Sequence, residues 1–210
     1  MAYRFSIICR PLLVAMCVLP TLVAQNAQYP NESVSDLVEQ FETTKVFWKQ
    51  FEVAKKIVAL QDRSVLEHLQ PWLNNEDMHR RGNAAFIFAK LGDDRGFQVI
   101  TAILEDRSSQ RAVFEIDDAG HPNLGRQIGA DRYYAAHLLG DVRDPRAVPV
   151  LVPLLKDEEV KFIVPWSLAA IGEKSAIPPL LEVLGDSNLE MRALALRALE
   201  KLEGKPVSGR

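Results

Sequence analysis

The sequence predicts an all-α fold, a right-handed α-solenoid of about four and a half helix-turn-helix repeats, and three observations carry that expectation. The first is self-similarity without a gap. Ile171-Gly-Glu-Lys-Ser-Ala-Ile-Pro-Pro-Leu-Leu-Glu-Val-Leu184 lays over Val142-Arg-Asp-Pro-Arg-Ala-Val-Pro-Val-Leu-Val-Pro-Leu-Leu155, and segments 91–104 and, more weakly, 60–73 follow the same template. The second is a turn column at Gln61, Gly92, Arg143, Gly172 and Glu203, spaced 31, 51, 29 and 31 residues apart. The third lies eleven positions upstream, where Gln50, Arg81, Arg132, Lys161 and Arg192 are polar or basic in every copy. A fixed period of this size is the mark of stacked supersecondary units.

The first 24 residues stand apart. Arg4 and Arg10 precede the apolar run Pro11-Leu-Leu-Val-Ala-Met-Cys-Val-Leu19, and Ala24 offers a small residue at its end. This reads as a secretory signal peptide cleaved after Ala24, placing the mature chain in a secreted or periplasmic setting without a membrane segment. An uncleaved anchor counted from Phe5 across Arg10 is the competing reading. Both cysteines, Cys9 and Cys17, fall in this stretch, so the mature chain is expected to lack thiols and disulfides.

Residues 25–43 read as an extension and a capping helix. Val34, Leu37, Val38 and Phe41 keep helical spacing, and Ser33 with Asp36 resembles a capping box. The repeat domain then covers residues 44–203, with an insertion of about 20 residues at roughly 107–128 and a loose tail over 204–210.

Within each unit the first helix carries apolar or small residues at one face, Ala84, Ala85, Phe88 and Leu91 in one copy and Ala135, Ala136, Leu139 and Val142 in the next. The turn supplies Asp62, Asp93, Asp144 or Glu173, whose carboxylates can accept from the free amides of the second helix. Pro149 and Pro178 follow near that helix's start, where a missing N–H costs little. The second helix buries Val148, Leu151, Leu154 and Leu155, or Ile177, Leu180, Val183 and Leu184, or Phe97, Ile100, Ile103 and Leu104. Asn75, Asp106, Asp157 and Asp186 close the units. One such pair cannot bury both of its stripes alone, so each unit depends on its neighbours. With 48% hydrophobic against 25% charged residues the chain can build that core, and its net charge of −3 with interspersed signs argues against nucleic acid as a partner.

Arg143-Asp-Pro-Arg-Ala-Val-Pro149 and Arg132-Tyr-Tyr-Ala-Ala-His-Leu-Leu-Gly140 resemble the short HEAT-like repeat first described in phycobilisome lyases, over roughly residues 45–203. The resemblance implies an α-solenoid whose second helices line an inner, protein-binding surface. Departures are Gln61 and Arg143 at the usual turn glycine, Pro165 interrupting a first helix, and Pro71 and Pro153 kinking two second helices. Relatives of this repeat that hydroxylate proteins carry paired His-Glu dipeptides for two irons, and this sequence has none; Glu67-His68 is the reverse order.

Site residues follow from that layout. The insertion offers Phe114, Glu115, Asp117, Asp118 and His121 as partner contacts; as metal ligands their spacing matches no calcium loop. Glu67, His68, Gln98, Thr101, Val150, Val152 and Leu181 fall off the core stripe and would line the inner surface. Arg81, Arg132, Lys161 and Arg192, with Asp93 and Asp144, read as structural residues pairing with neighbouring acids and helix ends. The four histidines are dispersed, and His137 reads as a surface or core residue rather than a base. No nucleophile elbow, phosphate loop or dinucleotide fingerprint is present, so no catalytic residue, cofactor or metal is expected. The resulting expectation is a non-enzymatic scaffold outside the cytoplasm that binds another protein, the alternative being an enzyme or enzyme subunit related to the HEAT-like phycobilisome lyases. A signal peptide weighs against that alternative, since chromophore attachment in the family is cytoplasmic.

Overall fold

Residues 32–108 and 124–204 are described by a computed structural model. Among them the regular structure is entirely helical: α1 Val34–Thr43, α2 Phe47–Leu60, α3 Val65–Leu69, α4 Met78–Lys90, α5 Asp94–Glu105, α6 Leu124–Val142, α7 Ala147–Leu151, α8 Val164–Ile171, α9 Ile177–Val183 and α10 Leu189–Glu203. First helices α2, α4, α6, α8 and α10 stack side by side, each paired through a tight turn with a second helix, α3, α5, α7 or α9, until α10 stands as a half unit. This is the α-solenoid expected from the repeat. Ile100, Leu151 and Leu180 of the second helices are completely buried, as are Ala84, Phe88, Ala136 and Leu139 of the first. Each large apolar side chain buried this way contributes roughly 1.5–3 kcal/mol, and each does so only because the next unit covers it.

The turn column marks a backbone feature. Gln61 (φ 55°), Gly92 (76°), Arg143 (62°), Gly172 (87°) and Gly204 (70°) all adopt the left-handed conformation. The fifth position is Gly204 and not Glu203, because the left-handed residue comes one step after the last helical one. Asp62, Asp93 and Asp144 then accept from the amides of Ser64, Arg95 and Arg146, two residues on, while Glu173 makes no such bond. The closing column behaves alike: Asn75, Asp106, Asp157 and Asp186 accept from Asp77, Ser108, Glu159 and Asn188. Ser33 and Asp36 form a reciprocal capping box at the start of α1, which packs on α2 and α3.

The prolines act differently from the expectation. After Leu69 and Leu151 the α-helix tightens to 3₁₀ over Gln70–Asn74 and Val152–Lys156, with Pro71 and Pro153 in the first turn of each. Without an N–H to give to the carbonyl four residues back, the chain tightens instead of bending. Pro165 likewise interrupts nothing: it sits in the first turn of α8, which is simply shorter, and residues 158–163 before it form turns. Helix α6 already begins at Leu124, so the last residues assigned to the insertion, to 128, are helical.

The α4–α5 crossing is the tightest. A Cβ on Gly96 would stand 2.2 Å from the Ala85 carbonyl oxygen and 2.3 Å from the Ala89 nitrogen, so only glycine lets the two backbones meet. No helix among the described residues is long and apolar enough to cross a membrane.

Candidate functional site

In four of its five copies the polar column upstream of the turns fixes a first helix to the end of the helix before it. Gln50 Nε2 donates to the Phe41 carbonyl (2.9 Å), Arg81 Nε to Asn75 (2.7 Å), Arg132 Nε to Leu104 (2.9 Å) and Arg192 Nη1 to Asp186 (2.9 Å). Carbonyls at a helix end lack intrahelical partners, and a cationic donor suits the negative end of the helix dipole. Lys161 departs from the pattern, reaching only Glu158 at 2.5 Å. Arg132 goes furthest: it is fully buried and also grips Asp157 (2.6 Å) and Glu159, with Arg107 reaching the same Asp157 oxygen at 2.6 Å. Burial alone would push the Asp157 carboxyl up, but the Arg132 guanidinium beside it holds it below its usual value. Asp93 and Asp144 turn back on Arg95 (2.7 Å) and Arg146 (2.6 Å), which depresses both carboxyls.

A second polar chain runs through the core of the first-helix layer. Tyr134 Oη donates to Asn83 Oδ1 (2.5 Å), Asn83 Nδ2 donates to Gln50 Oε1 (3.0 Å) and to the Phe47 carbonyl (2.8 Å), and Gln50 passes to Phe41. It ties α6, α4, α2 and α1 together with every buried polar end partnered. Burial pushes the Tyr134 phenol far up, and the nearby Asp141 and Glu52 charges add to that, so it stays a neutral donor.

Over this chain lies a stripe of rings contributed by four repeats. Phe47 meets Trp48 (5.2 Å between centroids), His79 (4.3 Å) and Tyr134 (5.2 Å). His79 approaches Tyr134 at 5.0 Å and sets Nδ1 2.9 Å from Asp131 Oδ1. Tyr134 is parallel to His137 (6.2 Å), and His137 stacks on Trp166 (4.4 Å, 11°). Trp48 is 60% exposed and Trp166 37%, so the stripe reaches solvent at both ends. This is a surface able to hold a flat conjugated molecule by stacking, with imidazoles at hand for proton transfer.

The stripe was not among the sequence-predicted sites, although its signal lies in the same register. Six positions before the left-handed residues stand Lys55, Phe86, His137, Trp166 and Ala198, a column that carries a ring in three of five copies.

The predicted inner-surface residues scatter. His68 lines a groove of about 590 Å³ between α1 and α3, 3.3 Å from Glu42, and Glu67 beside it is exposed. Val152 lines a cleft of about 400 Å³ against α9, with Pro153, Lys156 and Pro179. Val150 and Val152 pack on the core, Gln98 is exposed, Leu181 is 49% exposed, and Thr101 buries a hydroxyl that makes no bond. Neither of these two clefts joins the predicted residues into one site. Phe114, Glu115, Asp117, Asp118 and His121 lie outside the described residues.

Residues 129–205 match the family model for HEAT repeats. Over that span the chain carries HEAT repeats, and the helix pairs before it continue the same architecture. It is 34% identical over 134 residues to the bilin biosynthesis protein PecE of Nostoc sp., covering 62% of this chain and 48% of that protein. To PecE of Mastigocladus laminosus it is 30% identical over 134 residues, 62% of this chain and 45% of the relative. To the deoxyhypusine hydroxylase of Rattus norvegicus it is 32% identical over 111 residues, 46% of this chain and 37% of the relative. The chain thus spans about half or less of the length of these relatives. They overturn two expectations, that of a non-enzymatic scaffold and that of a chain with no enzymatic role, and favour the lyase-related alternative. The physical reason for the miss is architectural. Motif searches find residues that are close along one loop or helix, whereas a solenoid gathers one or two residues from each repeat across its stacked helices.

Proposed function

We propose that the chain is an enzyme, or a subunit of one, that handles a bilin, with the ring stripe of the first helices as its contact surface and a second protein as partner. One observation carries the reading: similarity to two bilin biosynthesis proteins over 134 residues, more than half of this chain. The geometry supports it, because a bilin presents conjugated pyrrole rings that stacking on Trp166 and Trp48 suits. The shorter match to a hydroxylase is less well supported: the sequence has no His-Glu dipeptide, and among the described residues no three histidine, cysteine, aspartate or glutamate side chains converge as ligands, so the described residues do not fit a di-iron centre. Export through residues 1–24 is a separate proposal that weighs against a cytoplasmic bilin role, and a mature amino terminus at Gln25 on sequencing the chain from its host is the finding that would support it.

The test is a titration of purified chain into biliverdin, read by visible absorption and induced circular dichroism. A saturable red shift with induced optical activity, reduced in Trp166→Ala, is the expected result. An unchanged bilin spectrum at saturating chain overturns the reading.

A further inference from the structure

His137 is the titratable group in the stripe whose position the fold controls most closely. One face of its ring lies on Trp166 of the next repeat, 4.4 Å between centroids and 11° between planes, and Tyr134 runs parallel at 6.2 Å on its own helix. Phe51 of α2 meets it edge-on at 6.4 Å. Nδ1 is buried and makes no hydrogen bond, yet it stands 3.4 Å from Asp141 Oδ2, one turn further along α6. The side chain as a whole is 32% exposed, so the part that meets solvent is the opposite edge, which carries Nε2.

We infer that His137 is a proton-accepting residue of this chain: Nε2, in the plane of a ring whose face Trp166 already covers, takes a proton from an N–H of a ligand held edge-on at the open side of the stripe, and Asp141, beside Nδ1, stabilises the imidazolium that forms. The inference rests on the bilin reading above, since linear tetrapyrroles carry dissociable N–H groups. The step balances by itself. The N–H bond of the ligand breaks, its electron pair stays on the ligand, an N–H bond forms at Nε2, and the proton then leaves to water.

The electrostatics suit that role. Burial lowers the imidazole pKa, Asp141 works against it and Lys55 adds to it, so the ring is neutral at neutral pH and can accept. The charged groups around it are Asp141 on α6, Lys55 with its partner Glu52 on α2, and Lys90 at the end of α4, whose ammonium reaches the Val142 carbonyl at 3.5 Å. Helix α8, which supplies Trp166, bears no charge.

The experiment combines two readings on the full chain. The His137 ring signal, identified by its loss in His137→Gln, is titrated by NMR, and the spectrum of bound biliverdin is followed over the same pH range. The expected result is a ring midpoint below 6.5, displaced further down in Asp141→Asn, and a bilin spectral transition at that midpoint which His137→Gln abolishes while binding persists. Biliverdin that binds with the same pH response in both proteins overturns the role of His137 and leaves the bilin reading intact; biliverdin that does not bind removes both. Should His137→Gln fail to fold, Asp141→Asn decides, and an unmoved midpoint and spectrum there overturn the inference.

Discussion

Replacing Arg132 with methionine tests whether one buried cation joins the repeats on either side of the 51-residue interval. The guanidinium is fully buried, bonded to the Leu104 carbonyl that ends α5 and to Asp157 and Glu159 beyond α7. Methionine keeps most of the aliphatic bulk, so the loss is electrostatic. Removing one partner of a buried ion pair costs about 3–5 kcal/mol, because the partner left behind has no solvent to replace it. Two features reduce the cost here: Asp157 keeps Arg107 and the Glu159 amide at 3.1 Å, and Glu159 is 37% exposed and can turn to water. The Leu104 carbonyl loses its donor outright, which adds about 1 kcal/mol. The net expectation is a loss of about 3 kcal/mol, a drop of about 1.5 M in urea midpoint for a slope near 2 kcal/mol/M. Equilibrium urea unfolding followed by far-ultraviolet circular dichroism measures it. A loss below about 1 kcal/mol, the level of a surface pair, would refute the claim that this cation is structurally buried.

Three further outcomes follow from the same geometry. Because the folded carboxyl of Asp157 is depressed, its contribution is complete above the usual carboxylate range and declines as pH falls through its lowered value; Asp157→Asn should be less stable at neutral pH but show a flatter loss below about pH 4, read by acid titration of the circular dichroism signal. Arg143→Gly should stabilise by about 1 kcal/mol, since the side chain is exposed and its backbone is left-handed, while Gln61→Gly should gain little because it gives up the 2.7 Å bond from Gln61 Nε2 to the Val58 carbonyl; thermal melts of the two variants compare them. Gly96→Ala should cost about 3 kcal/mol or abolish folding, as α4 and α5 must part to admit the methyl, and soluble yield with chemical denaturation will show which.

The repeat period, the stripes that became the core and the turn positions at Gln61, Gly92, Arg143 and Gly172 were legible in the residues alone, since each depends on a local rule: helical spacing, a tight turn, or an Asp two residues ahead of a free amide; their left-handed backbone is a finding of the structure. Pro71 and Pro153 were visible as disturbances, but whether the helix would bend or tighten was decided by what packed around it. The polar column was visible too, and only coordinates show that four of its donors reach the carbonyl ends of the preceding helices and that Gln50 and Arg132 are wholly enclosed.

The ring stripe marks the limit of reading along the chain. Phe47, His79, Tyr134, His137 and Trp166 are spread over about 120 residues, and nothing local distinguishes them from ordinary core aromatics. Sequence by itself determined that helices pair, turn and must stack, because those outcomes follow from neighbours three, four or some thirty positions away. Tertiary structure decided which rings meet and which edge of His137 faces water, because stacking superimposes equivalent positions of successive units and makes neighbours of residues that no local pattern connects.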